Sequence, residues 1–359
     1  MKYPVVLFLS IIIGAVFIAG KPYRHDSTRL FKAGNPNIHY TGRVDFSDPQ
    51  RPRFWAAGVY IKAKFKGLFC EVLINDEELY GTYHNYIEIA IDDRAPYRVQ
   101  LTGLENAIKV VGDLSNTTHI ITICKATESS IGHLDFVGLR CEQLLPLLPM
   151  PRRKIEFIGN SITSGMGMDV SKTPCNTGQW YDQHNAYMAY GPVTARQLNA
   201  QWQLTSVSGI GLIHSCCDQK IVMPQVFDKV YLAKDSLQWD FKRYQPDVVT
   251  VCLGQNDGIQ DSTTFCNAYI KFIGTLRQDY PKADIICLSS PMANEALTQV
   301  LKRYLTAITR YENSNADKCV YHFFFSKQYH NGCGGHPNMD EHQHIADELT
   351  AYIKQVEKW

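Results

Sequence analysis

Four short segments hold the residues best suited to chemistry. Gly159-Asn160-Ser161-Ile162-Thr163-Ser164-Gly165 sets a glycine-flanked serine where an apolar run passes into a helical one. Such a turn exposes the hydroxyl, and the helix that follows offers backbone N–H groups to developing negative charge. Ser208-Gly209-Ile210-Gly211 ends a second apolar run, where a glycine lets the backbone approach a ligand with its N–H. Gly254-Gln255-Asn256-Asp257 ends a third, and an Asn amide donates to an oxyanion without adding a competing charge. The fourth segment, Gly334-Gly335-His336-Pro337, carries a histidine able to act as general base towards the serine. A nucleophile, a base and donors at three strand ends describe one site with an oxyanion hole.

Positioning these segments requires a parallel sheet. Apolar strands are expected at 155–158, 204–207, 248–253, 285–288 and 320–325, alternating with helices at 187–198, 264–279, 295–311 and 339–356. Five strands with helices between them imply a parallel sheet covered on both faces, with the ligand at the carboxyl ends of the strands. Before this region, runs at 55–65, 69–74, 86–91, 97–101, 107–111 and 119–124 alternate with turn residues at roughly ten-residue spacing. They predict an antiparallel sandwich or jelly roll. Pro146, Pro149 and Pro151 break both periodicities and mark a linker over 146–153, between a β domain at 21–145 and an α/β domain at 154–359.

The chain has 359 residues with 36 Lys plus Arg against 35 Asp plus Glu, a balance that does not suggest nucleic acid or an anionic membrane as partner. Residues 1–20 read as a cleaved signal peptide: Lys2, an apolar run, then small residues before Lys21. The expected location is therefore exported, periplasmic, cell-surface or extracellular, with no membrane association after cleavage. Eleven cysteines are too sparse for a disulfide scaffold, and their pairing is not legible. Cys124, Cys252 and Cys287 sit in strand-like runs and are expected to be buried apolar residues. Neither Cys216-Cys217 nor Cys333 beside His336 is spaced like a zinc site, so neither a metal nor any other cofactor is expected.

The four segments resemble the blocks of the SGNH, or GDSL-type, hydrolases. The β-rich domain and Gly332-Cys333-Gly334-Gly335-His336-Pro337-Asn338 resemble carbohydrate esterase family 2, secreted acetyl esterases that act on plant polysaccharides. The resemblance implies a flavodoxin-like, three-layer α/β/α hydrolase domain with a five-stranded sheet. It also implies Ser161 as nucleophile, His336 as base, and an oxyanion hole formed by the N–H groups of Ser161 and Gly209 and the Asn256 side chain. The implied partner is an acetylated neutral polysaccharide or oligosaccharide, of xylan, mannan or glucomannan type. A lipase or thioesterase of the same superfamily, or a non-catalytic glycan-binding protein, are the alternatives.

Two positions depart from the superfamily pattern. Asn160 replaces an Asp beside the serine, and Cys333 replaces the Asp three residues before the histidine, so a Ser-His dyad is expected with no acid to orient His336. A backbone carbonyl can fix the tautomer instead, and Asp340 is read as a first-turn helix-dipole partner. Trp180, Tyr181 and His214 are candidate substrate contacts, while His342 and His344 are read as solvated helix-face residues.

Overall fold

In the computed structural model, residues 1, 28–233, 236–315 and 317–359 are described. Apart from Met1, the expected signal peptide at 1–20 lies outside them. Among the described residues no helix is long and apolar enough to cross a membrane.

The first half forms β1 (Arg29–Lys32), β2 (Ile38–Thr41), β3 (Arg53–Phe54), β4 (Tyr60–Asp76), β5 (Tyr86–Ile91), β6 (Tyr97–Gln100), β7 (Glu105–Lys109), β8 (Thr118–Lys125) and β9 (Leu134–Leu145). These make one antiparallel network. The first part of β4 pairs with β2 and β8, and its last part pairs with β7 and β9. The expected run at 69–74 and the 60–65 part of the run at 55–65 are thus one long strand, while 55–59 precede it as a turn. The register shift between Lys66 and Cys70 absorbs the irregularity that reads as a turn in the sequence. Alternating residues such as Ile61, Ala63, Phe65, Val72 and Ile74 enter one apolar core.

The second half begins with β10 (Arg153–Gly159), and residues 146–152 between β9 and β10 contain no regular element. It continues with α1 (Ser161–Ser164), α2 (Tyr190–Gln197), β11 (Ala200–Ser206), α3 (Met223–Val226), β12 (Val248–Val251), α4 (Ser262–Asp279), β13 (Asp284–Leu288), α5 (Glu295–Ser314), β14 (Val320–Phe323) and α6 (Met339–Glu357). The five strands are parallel in the order β11-β10-β12-β13-β14. Apolar residues of α4 and α5 cover one face and those of α2 and α6 the other, which gives the expected three layers. After β10 the chain moves to β11 on one side and then to β12 on the other. β10 is therefore the switch point, where the diverging connections open a crevice.

The two halves are locked together. Arg43 of the β domain is fully buried beside Glu156 of β10 at 3.1 Å, and its guanidinium also donates to the carbonyls of Phe227 and Lys229. Trp202 of β11 donates from Nε1 to the Gly58 carbonyl at 2.9 Å and stacks on Tyr60.

Candidate active site

Ser161 opens α1 directly after β10 and is 6% exposed. Its N–H is a first-turn donor with no acceptor inside the helix. Asn160 is the N-cap and accepts from the Ile162 N–H at 3.2 Å, so the residue that departs from the superfamily pattern still shapes the turn. Ser161 Oγ lies 2.9 Å from His336 Nε2.

His336 Nδ1 lies 3.2 Å from the Cys333 carbonyl. A carbonyl only accepts, so Nδ1 carries the proton and the Nε2 lone pair faces the serine hydroxyl. The backbone therefore orients the ring, while Asp340 sits exposed in the first turn of α6. Burial pulls the His336 pKa below the ordinary 6.5, and the Cys333 carbonyl opposes this only in part. The loop is tied in place by the Cys175–Cys333 disulfide, by Cys333 N–H donating to the Gly167 carbonyl at 2.8 Å, and by Gly332 N–H donating to the His336 carbonyl at 2.6 Å.

Gly209 follows β11 with φ +80°, a conformation that favours glycine. Gln219 Nε2 donates to the Ser208 carbonyl at 2.5 Å. That oxygen belongs to the same trans peptide as the Gly209 N–H, so anchoring it directs the N–H the opposite way. Asn256, after β12, donates one amide proton to the Ile210 carbonyl at 2.8 Å and keeps a second. Its neighbour Asp257 is buried and accepts from the N–H groups of Leu212, Ile213 and His214 at 2.7–3.0 Å, which holds the loop that follows Gly209. A side chain at Gly211 would collide with that carboxylate and with the His214 carbonyl.

Ser161, Gly209, Asn256 and His336 thus line one cleft of about 330 Å³, together with Trp180, Met166, Met292, Gln219, Gln255, Ser208 and the bonded pair Cys216–Cys217. Trp180 is 40% exposed at this cleft. The other two candidate contacts are not among the residues lining this cleft. Tyr181 is buried, accepts from the His84 N–H and packs edge-on behind Trp180, because its ring completes a cluster with Tyr83 and Tyr86. His214 is exposed and only its backbone N–H is engaged, by Asp257. His342 is fully buried rather than solvated: Nδ1 accepts from the Tyr190 N–H, the ring stacks on Tyr190, and burial pulls its pKa down to about 3. His344 is exposed. Cys124, Cys252 and Cys287 are buried with free thiols, and among the described residues no His, Cys, Asp or Glu group is arranged to hold a metal ion.

Sequence reasoning named Asp257 with its segment but gave it no role. It missed Glu128 and His184, a fully buried pair from the two domains at 3.1 Å. Nothing in spacing connects those two, since a loop from each domain brings them together.

A five-stranded parallel sheet with these four residues at its strand ends defines an SGNH-type hydrolase domain. The family model described as "GDSL-like Lipase/Acylhydrolase family" matches residues 157–343, and the one described as "Carbohydrate esterase 2 N-terminal" matches residues 40–151. The chain belongs to the family 2 carbohydrate esterases, a family of carboxylic ester hydrolases. It is 33% identical to cellulase/esterase CelE of Acetivibrio thermocellus over 90% of this chain and spans 40% of the length of that protein. It is 28% identical to an acetylxylan esterase / glucomannan deacetylase of Cellvibrio japonicus, over 93% of this chain and 92% of that one. The structure of a family two carbohydrate esterase from Clostridium thermocellum in complex with cellohexaose is similar with a TM-score of 0.80 and 32% identity, over 90% of this chain and 99% of that one.

Proposed function

We propose that the protein is an exported carbohydrate O-acetylesterase that removes acetyl groups from plant polysaccharides of xylan, mannan or glucomannan type. The observation that carries this reading is the 2.9 Å contact between Ser161 Oγ and His336 Nε2, with Nδ1 held by a carbonyl. His336 takes the serine proton as Oγ attacks the acetyl carbonyl, and the N–H groups of Ser161 and Gly209 with the Asn256 amide receive the oxyanion. The tetrahedral intermediate collapses as His336 protonates the departing sugar oxygen, leaving acetyl-Ser161. Water, activated by the same imidazole, then releases acetate and restores the serine.

Cleft chemistry supports this substrate class. At about 330 Å³ it is at the small end of ligand sites, roughly 300–1,000 Å³, which suits an acetyl group better than a long acyl chain. None of its described lining residues is a carboxylate, lysine or arginine, in keeping with a neutral sugar, and Trp180 offers a ring on which a sugar can stack. The names of the relatives from Cellvibrio japonicus support the same polysaccharides. The Cys175–Cys333 disulfide beside the site supports an oxidising compartment and hence export of the chain by residues 1–20.

The test is hydrolysis of acetyl, octanoyl and palmitoyl aryl esters, followed by acetate release from acetylated xylan and glucomannan. Acetyl is expected to be preferred and acetate released; preference for palmitoyl would overturn the reading in favour of a lipase. Asn256→Ala should lower kcat by about 10²- to 10³-fold with little change in KM, the usual loss for one oxyanion donor. The pH profile of kcat/KM offers a further check. The neutral imidazole is the active form and burial lowers its pKa, so activity should persist as pH falls through 6.5 and be lost only below that value. A midpoint above 6.5 would contradict this.

A further inference from the structure

We infer that Glu128 of the β domain is a positioning residue for the Gly209 oxyanion donor, so that the amino-terminal domain forms part of the catalytic apparatus. This rests on the hydrolase reading above. The Glu128 side chain is fully buried at the junction of the two domains, where a carboxylate is costly unless it is well partnered. Oε2 accepts from the Ser208 N–H at 2.7 Å, and Oε1 lies 3.1 Å from His184 Nε2. Burial alone would raise the pKa of this carboxyl, but hydrogen bonds from His184 and Ser208 outweigh it and hold the group below the usual carboxylate range.

The bond to Ser208 reaches the peptide unit next to the one that carries the Gly209 N–H. Ser208 is then held on both sides, its N–H by Glu128 and its carbonyl by Gln219, while the Gly209 carbonyl accepts from the Cys216 N–H at 2.9 Å. Three anchors leave the Gly209 N–H little freedom. Of these, only Glu128 is supplied by the β domain, and it bears a full charge on a rigid support. Lys125 Nζ, buried at the end of β8, donates to the carbonyls of Thr127 and Glu128, each at 3.0 Å, and so holds the backbone from which the carboxylate projects. The second carboxylate oxygen extends the same control to Trp180 of the cleft lining, because the His184 ring packs edge-on against it.

Glu128→Gln keeps the shape and an acceptor for Ser208, whereas Glu128→Ala removes both. Steady-state kinetics on p-nitrophenyl acetate, affinity for an alkyl boronic acid that forms a tetrahedral adduct on Ser161, and hydrogen exchange of residues 206–217 should be compared in both variants and wild type. Expected are falls in kcat of about tenfold for Glu128→Gln and about 100-fold for Glu128→Ala, smaller than or equal to loss of a whole donor. KM should stay within about twofold, boronate affinity should weaken in parallel with kcat, and exchange at 206–217 should rise in Glu128→Ala. Unchanged kcat and boronate affinity in both variants, or unchanged exchange at 206–217, would overturn the inference. If Glu128→Ala does not fold, Glu128→Gln with wild-type kcat overturns it alone. Ser161→Ala in the same assays separates the two readings, since its full activity refutes the hydrolase mechanism while the exchange result still bears on Glu128.

Discussion

Ser161→Ala and His336→Ala should each lower kcat on an acetyl ester by roughly 10⁴- to 10⁶-fold, while Asp340→Asn should change it by less than about twofold. The two large losses follow from the proposed division of labour: without the hydroxyl no acyl-enzyme forms, and without the imidazole nothing accepts its proton at a distance of 2.9 Å. The small effect follows from where the tautomer is set. His336 Nδ1 donates to the Cys333 carbonyl, and that carbonyl is held by a loop carrying a disulfide and three backbone hydrogen bonds, none of which involves Asp340. Asp340 lies exposed in the first turn of α6, where a charge interacts with the helix dipole for only about 0.3–1 kcal/mol. Measurement of kcat in the three variants decides the matter. A loss in Asp340→Asn comparable to the other two would make the site a triad and refute orientation by the backbone.

Arg43→Ala should cost about 3–5 kcal/mol of stability, a large share of the roughly 5–15 kcal/mol that holds a typical domain folded. The guanidinium is fully buried, and its removal strands Glu156, also fully buried in β10, with the carbonyls of Phe227 and Lys229 losing their donor as well. Thr205 Oγ1 still donates to Glu156 Oε1 at 2.6 Å, but one neutral hydrogen bond does not replace a cation. The guanidinium also faces the rings of Phe227, Trp239 and Phe241, so the variant leaves a cavity among them. Replacing both partners, as in Arg43→Met with Glu156→Met, should restore most of the loss, since a buried pair exchanged for apolar side chains of similar volume is often neutral. Urea denaturation followed by tryptophan fluorescence reads both results. A double variant no more stable than Arg43→Ala would mean that the damage comes from the lost donors to the Phe227 and Lys229 carbonyls and not from the stranded charge.

Ser161, Gly209, Asn256 and His336 were legible in the amino-acid sequence because each sits at a boundary that local rules describe. An apolar run stops, a glycine or a capping residue appears, and a polar side chain stands at the end of a strand. The same rules gave the alternation of strands and helices, and from it a parallel sheet with its site at the carboxyl ends. Local rules failed where exposure depends on the rest of the fold. Tyr181 and His214 lie in loops next to the cleft, yet one ring turns into a cluster of tyrosines and the other into solvent. His342 has the spacing of a surface residue near the start of a helix, but α6 lies against α2 and encloses it.

What the sequence by itself determined is therefore the set of groups on which the proposed chemistry rests: a serine, a histidine and polar groups at successive strand ends, without an acid three residues before the histidine. Tertiary structure alone decided what holds those groups in place. The Cys175–Cys333 bond, the Asp257 carboxylate under the Gly209 loop and the buried Glu128–His184 pair all depend on contacts between segments distant in the chain. The physical reason is that strand ends and helix starts are specified by hydrogen bonding within a few residues, whereas orientation at a site is specified by burial. Burial belongs to the whole packed molecule.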